Sequence, residues 1–263
     1  MTDEYEYILE KIMKAEFINI PFPHLDIKDF LSNKHLDLIL NDKQIHFEVM
    51  NNHDELKDKL IDNGWDIQKF PGCITNWDDY KKYLNSLEDG TKKDIHNVGV
   101  TFRLNRYKNK KVEELINFMN SDRFHNTLKK KFNIKEKTTI ISAIQKNLNG
   151  YEISPHPDVR AKCLTYLLNV NNKEIEELDC HTHLLEFKNQ YKYIQEEWRN
   201  NQEKERHWVK WDYCNTIKTM NKNNSMVLFH PADDPPTLHA IRLKYDHLKY
   251  QRTQIYGNLM YVK

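Results

Sequence analysis

Residues 151–170 read YEISPHPDVRAKCLTYLLNV, and the triplet His156-Pro157-Asp158 lies at their centre. The imidazole and the carboxylate are two positions apart, and such side chains point to the same side of an extended chain. The apolar run 163–170, which follows shortly after, predicts a β-strand. The stretch therefore predicts two polar side chains that converge near a strand and could bind one metal ion.

A third candidate ligand lies far downstream. Residues 237–243, TLHAIRL, alternate like a strand that carries His239, and they follow the turn-rich segment PADDPP at 231–236. Two histidines and one carboxylate form a facial triad, which binds non-heme Fe(II) and leaves coordination positions open. His156, Asp158 and His239 are therefore the candidate metal ligands. His230, which directly follows the apolar run 225–229, is the alternative distal ligand.

The order of these residues resembles a known family. The His-x-Asp pair, the distal His239 and a basic residue, Arg252, on the next predicted strand resemble the Fe(II)/2-oxoglutarate-dependent oxygenase superfamily, and within it the prolyl-4-hydroxylase-like branch. Residues 21–31, PFPHLDIKDFL, are similar to the opening strand and first helix of small members of that branch. One departure is residues 179–185, DCHTHLL, where the family often has a glycine pair.

The resemblance implies an α+β fold with a double-stranded β-helix (jelly-roll) core and N-terminal helices packed on the sheet. The chain has a matching division, because residues 1–135 are rich in predicted helix and residues 136–263 read as short strands separated by turns. We expect one oxygenase domain over residues 1–263. Residues 171–220 are expected to form an insertion that contributes to a substrate lid.

The resemblance also implies an activity. The triad would hold Fe(II), whose open positions take 2-oxoglutarate and O2, and ascorbate is a further candidate cofactor. The expected reaction hydroxylates an unactivated C–H bond while 2-oxoglutarate is decarboxylated to succinate and CO2. The expected substrate is an amino acid or a peptidyl residue such as proline. Asp158 favours hydroxylation over halogenation, because family halogenases have a small residue in place of this carboxylate.

Three further residues are candidates for binding 2-oxoglutarate. Arg252 is the expected clamp, because a guanidinium can hold a carboxylate through two parallel hydrogen bonds. Arg242 is the rival, but its odd offset from His239 places it on the opposite face of an extended strand. Thr165 and Gln145 could donate secondary hydrogen bonds.

Composition limits the alternatives. The net charge is +1, whereas a duplex-binding protein usually carries a basic excess, so a nucleic-acid partner is not expected. No apolar run is long enough for a membrane span, and no secretory signal is recognisable, so we expect a cytoplasmic protein with a small-molecule or peptide substrate. The four cysteines show no Cys-x-x-Cys spacing, and Cys180, His181 and His183 are interpreted as strand residues rather than a zinc site.

Three alternative functions stay open: a cupin-like metal enzyme that does not use 2-oxoglutarate, a metal-binding interaction module, and a nucleobase-oxidising oxygenase.

At the level of local structure, the sequence predicts a helix over 27–41, a strand over 44–49, a helix that begins after Asn52 and ends at Gly64, and a helix from Asn76 to near Gly90. It also predicts a strand over 97–104 and helices over 111–119 and 121–132.

Overall fold

The computed structural model describes residues 4–88 and 96–262. Six of the α-helices within these residues precede the long strands. None of the described helices combines the length and apolar composition needed to cross a membrane. The helices are α1 (Glu6–Lys14), α2 (Asn33–Leu40), α3 (His53–Asp62), α4 (Trp77–Glu88), α5 (Lys110–Met119), α6 (Asp122–Lys131) and α7 (Tyr193–Asn200).

The strands form two antiparallel sheets. The larger sheet has the order β1-β10-β7-β12-β5-β4-β2, and the smaller sheet has the order β3-β6-β11-β8-β9. The strands are β1 (His24–Ile27), β2 (Trp65–Ile67), β3 (Asn97–Val98), β4 (Thr101–Leu104), β5 (Thr138–Asn147), β6 (Glu152–His156), β7 (Lys162–Asn169), β8 (Thr182–Phe187), β9 (Cys214–Met220), β10 (Met226–Phe229), β11 (His239–Arg242) and β12 (Thr253–Tyr261).

The last eight strands pair in a nested order. Strand β5 pairs with β12, β6 with β11, β7 with β10 and β8 with β9. The chain therefore passes from one sheet to the other between β6 and β7 and again between β10 and β11. The first connection leads from β6 to β7 and the second from β10 to β11. Because β6 pairs with β11 and β7 pairs with β10, residues 157–161 and 230–238 are brought to one end of the two sheets.

The main hydrophobic core lies outside the space between the sheets. Residues of the larger sheet such as Phe102, Ile144 and Leu168 join a buried cluster with apolar residues of the N-terminal helices. Burying one such side chain contributes about 1.5–3 kcal/mol. The opposite face of the same sheet is polar, and there Gln254 Nε2 donates to Asn169 Oδ1 over 2.8 Å. The sheet is thus anchored by the helices, and its inner face is left available for a cavity.

Several predicted helices are confirmed. The Asn52 side chain accepts the Glu55 N–H at the start of α3, and the Ser121 side chain accepts the Phe124 N–H at the start of α6. The chain leaves α3 through Gly64, whose φ of 83° is accessible to glycine. The helix predicted from Asn76 is α4, and its predicted end near Gly90 lies outside the described residues.

Two predictions for residues 27–49 are wrong. The helix begins only at Asn33, because the Ser32 side chain caps it by accepting the His35 N–H, and residues 24–27 are a strand instead. Residues 44–49 form no strand. The Asp42 carbonyl accepts hydrogen bonds from the N–H groups of Ile45 and His46, which closes a turn. These two N–H groups are therefore not available for pairing with a neighbouring strand.

The strand predicted over residues 97–104 is two strands in different sheets. The break falls at Gly99, which has a φ of 132° and lies so close to Tyr151 that a Cβ would come within 2.5 Å of its Cα. The predicted insertion over 171–220 also needs correction. It contains β8 and β9, which belong to the smaller sheet, so only residues 171–181 and 188–213 of this range lie outside the sheets' strands.

His247, between β11 and β12, is buried and provides a pH-dependent term in stability. Its Nδ1 accepts the Asn149 N–H over 3.0 Å, and its Nε2 lies 2.8 Å from His53 Nδ1. Burial, with the neighbouring His53 as a second cause, lowers the pKa of His247 to about 3. The folded protein therefore holds this imidazole neutral where an unfolded chain would protonate it.

We expect the free energy of unfolding to fall as the pH is lowered from about 6.5 towards 3, because the unfolded chain then binds a proton that folded His247 does not. His247 alone contributes at most about 1.4 kcal/mol per pH unit in this window. Urea unfolding at pH 7 and pH 5 should show a smaller stability loss for His247→Gln than for the unsubstituted protein and for the exposed control His207→Gln. An equal loss in all three proteins would contradict this account.

Candidate active site

His156, Asp158 and His239 converge at the end of the two sheets. His156 ends β6, His239 begins β11, and the two are direct partners in the pairing of these strands. Their ring centroids are 4.5 Å apart, and Asp158 lies in the connection that follows β6. One ligand atom from each of the three residues lies within 4.8 Å of the other two. Within residues 4–88 and 96–262, no other group of three or more His, Cys, Asp or Glu side chains has this spacing.

Both imidazoles are oriented by backbone carbonyls. His156 Nδ1 lies 2.8 Å from the Ser154 carbonyl oxygen, and His239 Nδ1 lies 3.1 Å from that of Thr237. A carbonyl only accepts, so each Nδ1 carries the proton and each Nε2 keeps its lone pair for a metal ion. Burial, followed by the neighbouring His239, lowers the pKa of His156 to about 3, and burial also lowers the pKa of His239. Both rings are therefore in the neutral form that metal binding requires.

The Asp158 carboxylate is held by two residues of β7. Lys162 Nζ donates to Oδ1 over 2.5 Å, and the Thr165 hydroxyl donates to Oδ2. Burial alone would raise the pKa of Asp158, but the charge of Lys162 outweighs it and keeps the pKa below its usual range. The carboxylate is thus ionised at neutral pH. Two neutral imidazoles and one carboxylate are a donor set that suits Fe(II).

The backbone at Asp158 is fixed by a charged network. Arg206 donates from Nη2 to the Asp158 carbonyl and from Nη1 to Asp233 Oδ1 over 2.8 Å. Arg160 donates to the other Asp233 oxygen over 2.7 Å. These contacts join the connection after β6, the segment 188–213 and the connection before β11. The Arg206 side chain is only 3% exposed, so the network is largely shielded from solvent.

A cavity of about 310 Å³ extends from the three convergent residues into the space between the sheets. Its inner wall is polar and includes Thr101, Gln145, Asn147, Thr182 and Gln254. Such a volume lies at the small end of ligand pockets, which span about 300–1,000 Å³. The cavity can therefore hold a small ligand beside a metal ion.

Arg252 lies directly behind this inner wall. Its side chain is 1% exposed, and Nη1 donates to Asn147 Oδ1 over 3.2 Å. Its Nε and Nη2 are buried without a hydrogen-bond partner, and the described residues give it no ion pair. An unpaired buried charge costs several kcal/mol. The guanidinium thus has two buried donors without a partner, directly behind the inner end of the cavity.

The other sequence-predicted residues fall in different places. Thr165 and Gln145 line the cavity. His230, the alternative distal ligand, instead bonds through Nδ1 to the Cys163 carbonyl and is not part of the convergent group. Arg242 donates to Glu152 Oε1 over 2.7 Å, in a contact outside the cavity lining. The roles of Thr165, Gln145 and Arg252 in co-substrate binding stay predictions.

Three residues near the site were not predicted from the sequence: Lys162, Arg206 and Arg103, a cavity-lining residue of β4. Lys162 is four positions after Asp158. Residues at this spacing outside a helix come into contact only where the chain turns between them. Arg206 belongs to no recognisable sequence motif. Arg103 was available as a basic residue within the predicted strand 97–104, on the face opposite to apolar Phe102.

Compared by sequence, the chain matches no protein-family model and no curated protein. Among solved structures it is similar to a Pseudomonas putida prolyl-4-hydroxylase (10% identity, TM-score 0.40, covering 78% of this chain and 97% of that one). It is also similar to an oxidoreductase of the 2OG-Fe(II) oxygenase family from Burkholderia pseudomallei (9%, 0.35, 82% and 94%). A third structure is HygX from Streptomyces hygroscopicus with nickel and 2-oxoglutarate bound (8%, 0.35, 76% and 83%).

We expect His156→Ala, Asp158→Ala and His239→Ala each to weaken Fe(II) or Co(II) binding, because each removes one donor atom. The loss should be at least as large as the about 10- to 100-fold loss caused by removing an outer partner of a ligand. Anaerobic equilibrium dialysis measures it. His230→Ala is the matched control and should bind metal normally. Full binding by His239→Ala, with loss in His230→Ala, would reverse the assignment of the distal ligand.

Arg206→Met should weaken metal binding by about 10- to 100-fold, because the Asp158 backbone loses its buried donor. Arg199→Met in the same segment is the control, since Arg199 is exposed and, within the described part of the chain, forms ion pairs with Glu196 and Asp234. Metal affinity and the urea midpoint are measured together. An affinity equal to that of the control would show that Arg206 stabilises the fold without positioning Asp158.

Proposed function

We propose that the chain is a non-heme Fe(II)/2-oxoglutarate-dependent oxygenase that hydroxylates an unactivated C–H bond. The observation that carries this proposal is the presence of two chemical features at the two ends of the cavity, one in its lining and one directly behind its inner wall. At one end, His156, Asp158 and His239 offer two neutral imidazoles and a carboxylate. Behind the inner wall, Arg252 Nε and Nη2 are buried without a hydrogen-bond partner among the described residues. A keto acid with a distal carboxylate would satisfy both ends at once.

We further propose that strands β5 to β12 form a jelly-roll core. The nested pairing of first with last, second with seventh, third with sixth and fourth with fifth supports this topology. The candidate ligands His156 and His239 lie on the second and seventh of these strands, β6 and β11. The N-terminal helices would then cover the outer face of the larger sheet, and residues 1–263 would be one domain.

In this proposal each residue has a defined task. His156, Asp158 and His239 hold the iron, Lys162 keeps the carboxylate ionised, and Arg252 binds the distal carboxylate of 2-oxoglutarate through charge-assisted hydrogen bonds. Thr165 and Gln145 are proposed secondary contacts of the co-substrate. When bound, the iron with 2-oxoglutarate and O2 supplies the oxidation: one oxygen atom enters the product and the other enters succinate, with release of CO2.

The segment 188–213 is proposed to close the site against water. The Val209 N–H donates to the Pro155 carbonyl over 2.9 Å, and the ring of Trp208 lies 6.4 Å from that of His156. The segment therefore lies directly beside the candidate iron ligands. The sequence resemblance to the prolyl-4-hydroxylase-like branch is the basis for the proposed substrate, an amino acid or a peptidyl residue such as proline.

Succinate formation from 2-oxoglutarate, with and without Fe(II), tests the proposed function. We expect iron-dependent succinate, and we expect Arg252→Met to raise the KM for 2-oxoglutarate by about 10- to 100-fold, because a charge-assisted contact is lost. Arg242→Met is the matched control, since its guanidinium bonds to Glu152 outside the cavity lining. N-oxalylglycine, which mimics the keto acid without decarboxylation, should inhibit competitively.

Two outcomes would count against the proposal. Iron-loaded, folded protein that forms no succinate would favour a cupin-like enzyme that does not use 2-oxoglutarate. Succinate formation with an unchanged KM in Arg252→Met would leave the class of enzyme intact and remove Arg252 from the co-substrate site.

A further inference from the structure

Arg103 carries a second guanidinium with an unpartnered donor, and unlike Arg252 it lines the cavity itself. It lies on β4 and lines the cavity, and its Nε is buried without a hydrogen-bond partner. Among the ion pairs of residues 4–88 and 96–262, none includes Arg103. Its Cζ lies 6.0 Å from the centre of the Tyr256 ring, a contact that orients the guanidinium and leaves its donors free.

The strand register of the larger sheet shows how deep in the cavity Arg103 lies. Arg103 is paired with Gln145, and Gln145 is paired with Gln254. One row deeper, Thr101 is paired with Asn147, the residue that contacts Arg252. In the other direction along the sheet lies Thr165, which contacts Asp158. Arg103 therefore lies at a level between the candidate co-substrate clamp and the candidate iron ligands.

The charges within the cavity leave Arg103 without a counterion. Asp158 is the only acidic side chain among the described lining residues, and both of its oxygens already accept hydrogen bonds from β7. In the proposed function, one end of 2-oxoglutarate binds the metal and the distal carboxylate binds Arg252. A second anion would match Arg103, and the primary substrate is a molecule that can supply it.

The size of the cavity limits what that substrate can be. About 310 Å³ must hold the co-substrate and the reacting part of the primary substrate. Such a volume has room for a small molecule but not for a folded peptide segment. An internal peptidyl residue also has no main-chain carboxylate to offer, because both of its backbone ends are amides.

Resting on the proposed function, we propose that the primary substrate is a small carboxylic acid, in the first instance a free amino acid, whose carboxylate binds Arg103. The guanidinium would hold this carboxylate through paired hydrogen bonds and turn the reacting carbon towards His156, Asp158 and His239. This assignment selects the free acid over the peptidyl residue and makes Arg103 a specificity-determining residue.

The test compares the common L-amino acids with their primary amides, which have nearly the same shape but no carboxylate charge. Iron-loaded full-length protein is given 2-oxoglutarate and each compound, and succinate formation above the uncoupled level is measured together with a mass gain of one oxygen atom in the compound. At least one acid should stimulate succinate formation, and its amide should need about tenfold or more higher concentration.

Variants then connect the effect to Arg103. Arg103→Gln should raise the KM of the stimulating acid by about tenfold or more, and Arg103→Lys should recover part of the loss because it keeps the charge. Arg106→Gln is the matched control, since Arg106 is exposed and lies outside the cavity lining. The urea midpoint of each variant shows whether it is folded.

Three results would overturn the inference. An amide that works as well as its acid would show that no carboxylate is recognised. A rise in the KM for 2-oxoglutarate in Arg103→Gln, equal to that for the acid, would assign Arg103 to the co-substrate. Absence of stimulation by every acid, while uncoupled succinate formation continues, would exclude small amino acids and leave the proposed function intact. Absence of any 2-oxoglutarate turnover would instead be the failure of the proposed function.

Discussion

The direct pairing of His156 with His239 across β6 and β11 is the constraint on which the site depends. Two neighbouring strands of a sheet hold their side chains at fixed separation, so the two imidazoles meet without any flexible loop between them. Their Nδ1 atoms are then bound by carbonyls two residues earlier in the chain, which leaves both Nε2 atoms facing the same space. Asp158 needs only the short connection after β6 to join them.

The packing of the larger sheet offsets the free-energy cost of placing polar residues around the site. Its outer face is buried against the helices, so the inner face can be polar without loss of the main core. Arg252 and Arg103 destabilise the protein as long as no anion is bound, because buried groups of both guanidiniums lack partners. Binding of matching anions would therefore stabilise the fold, by about 2.7 kcal/mol at a ligand concentration of 100 times Kd. Ligand affinity and protein stability are linked in this cavity.

Local patterns in the sequence were sufficient for the ligand-bearing strands and for most of the helix caps. The separation of residues 156–158 from residue 239 could be bridged because the resemblance supplied the order of a His-x-Asp pair followed by a distal histidine. Other features could not be predicted. Strand β9 lies mostly exposed at the edge of its sheet, so it has no apolar alternation, and residues 171–220 were misread as an insertion. The alternation over residues 101–104 places Phe102 and Arg103 on opposite faces of a strand. It does not indicate whether the polar face lines a cavity or contacts solvent.

The central claim is that the His156–Asp158–His239 group and Arg252 bind Fe(II) and 2-oxoglutarate together. Anaerobic titration of the protein with Fe(II) and then 2-oxoglutarate tests it most directly, through the weak visible charge-transfer band of a keto acid chelated to iron. The account predicts that the band appears, is abolished in Asp158→Ala, and needs more 2-oxoglutarate in Arg252→Met. Folded, iron-loaded protein that develops no band at saturating 2-oxoglutarate would contradict it.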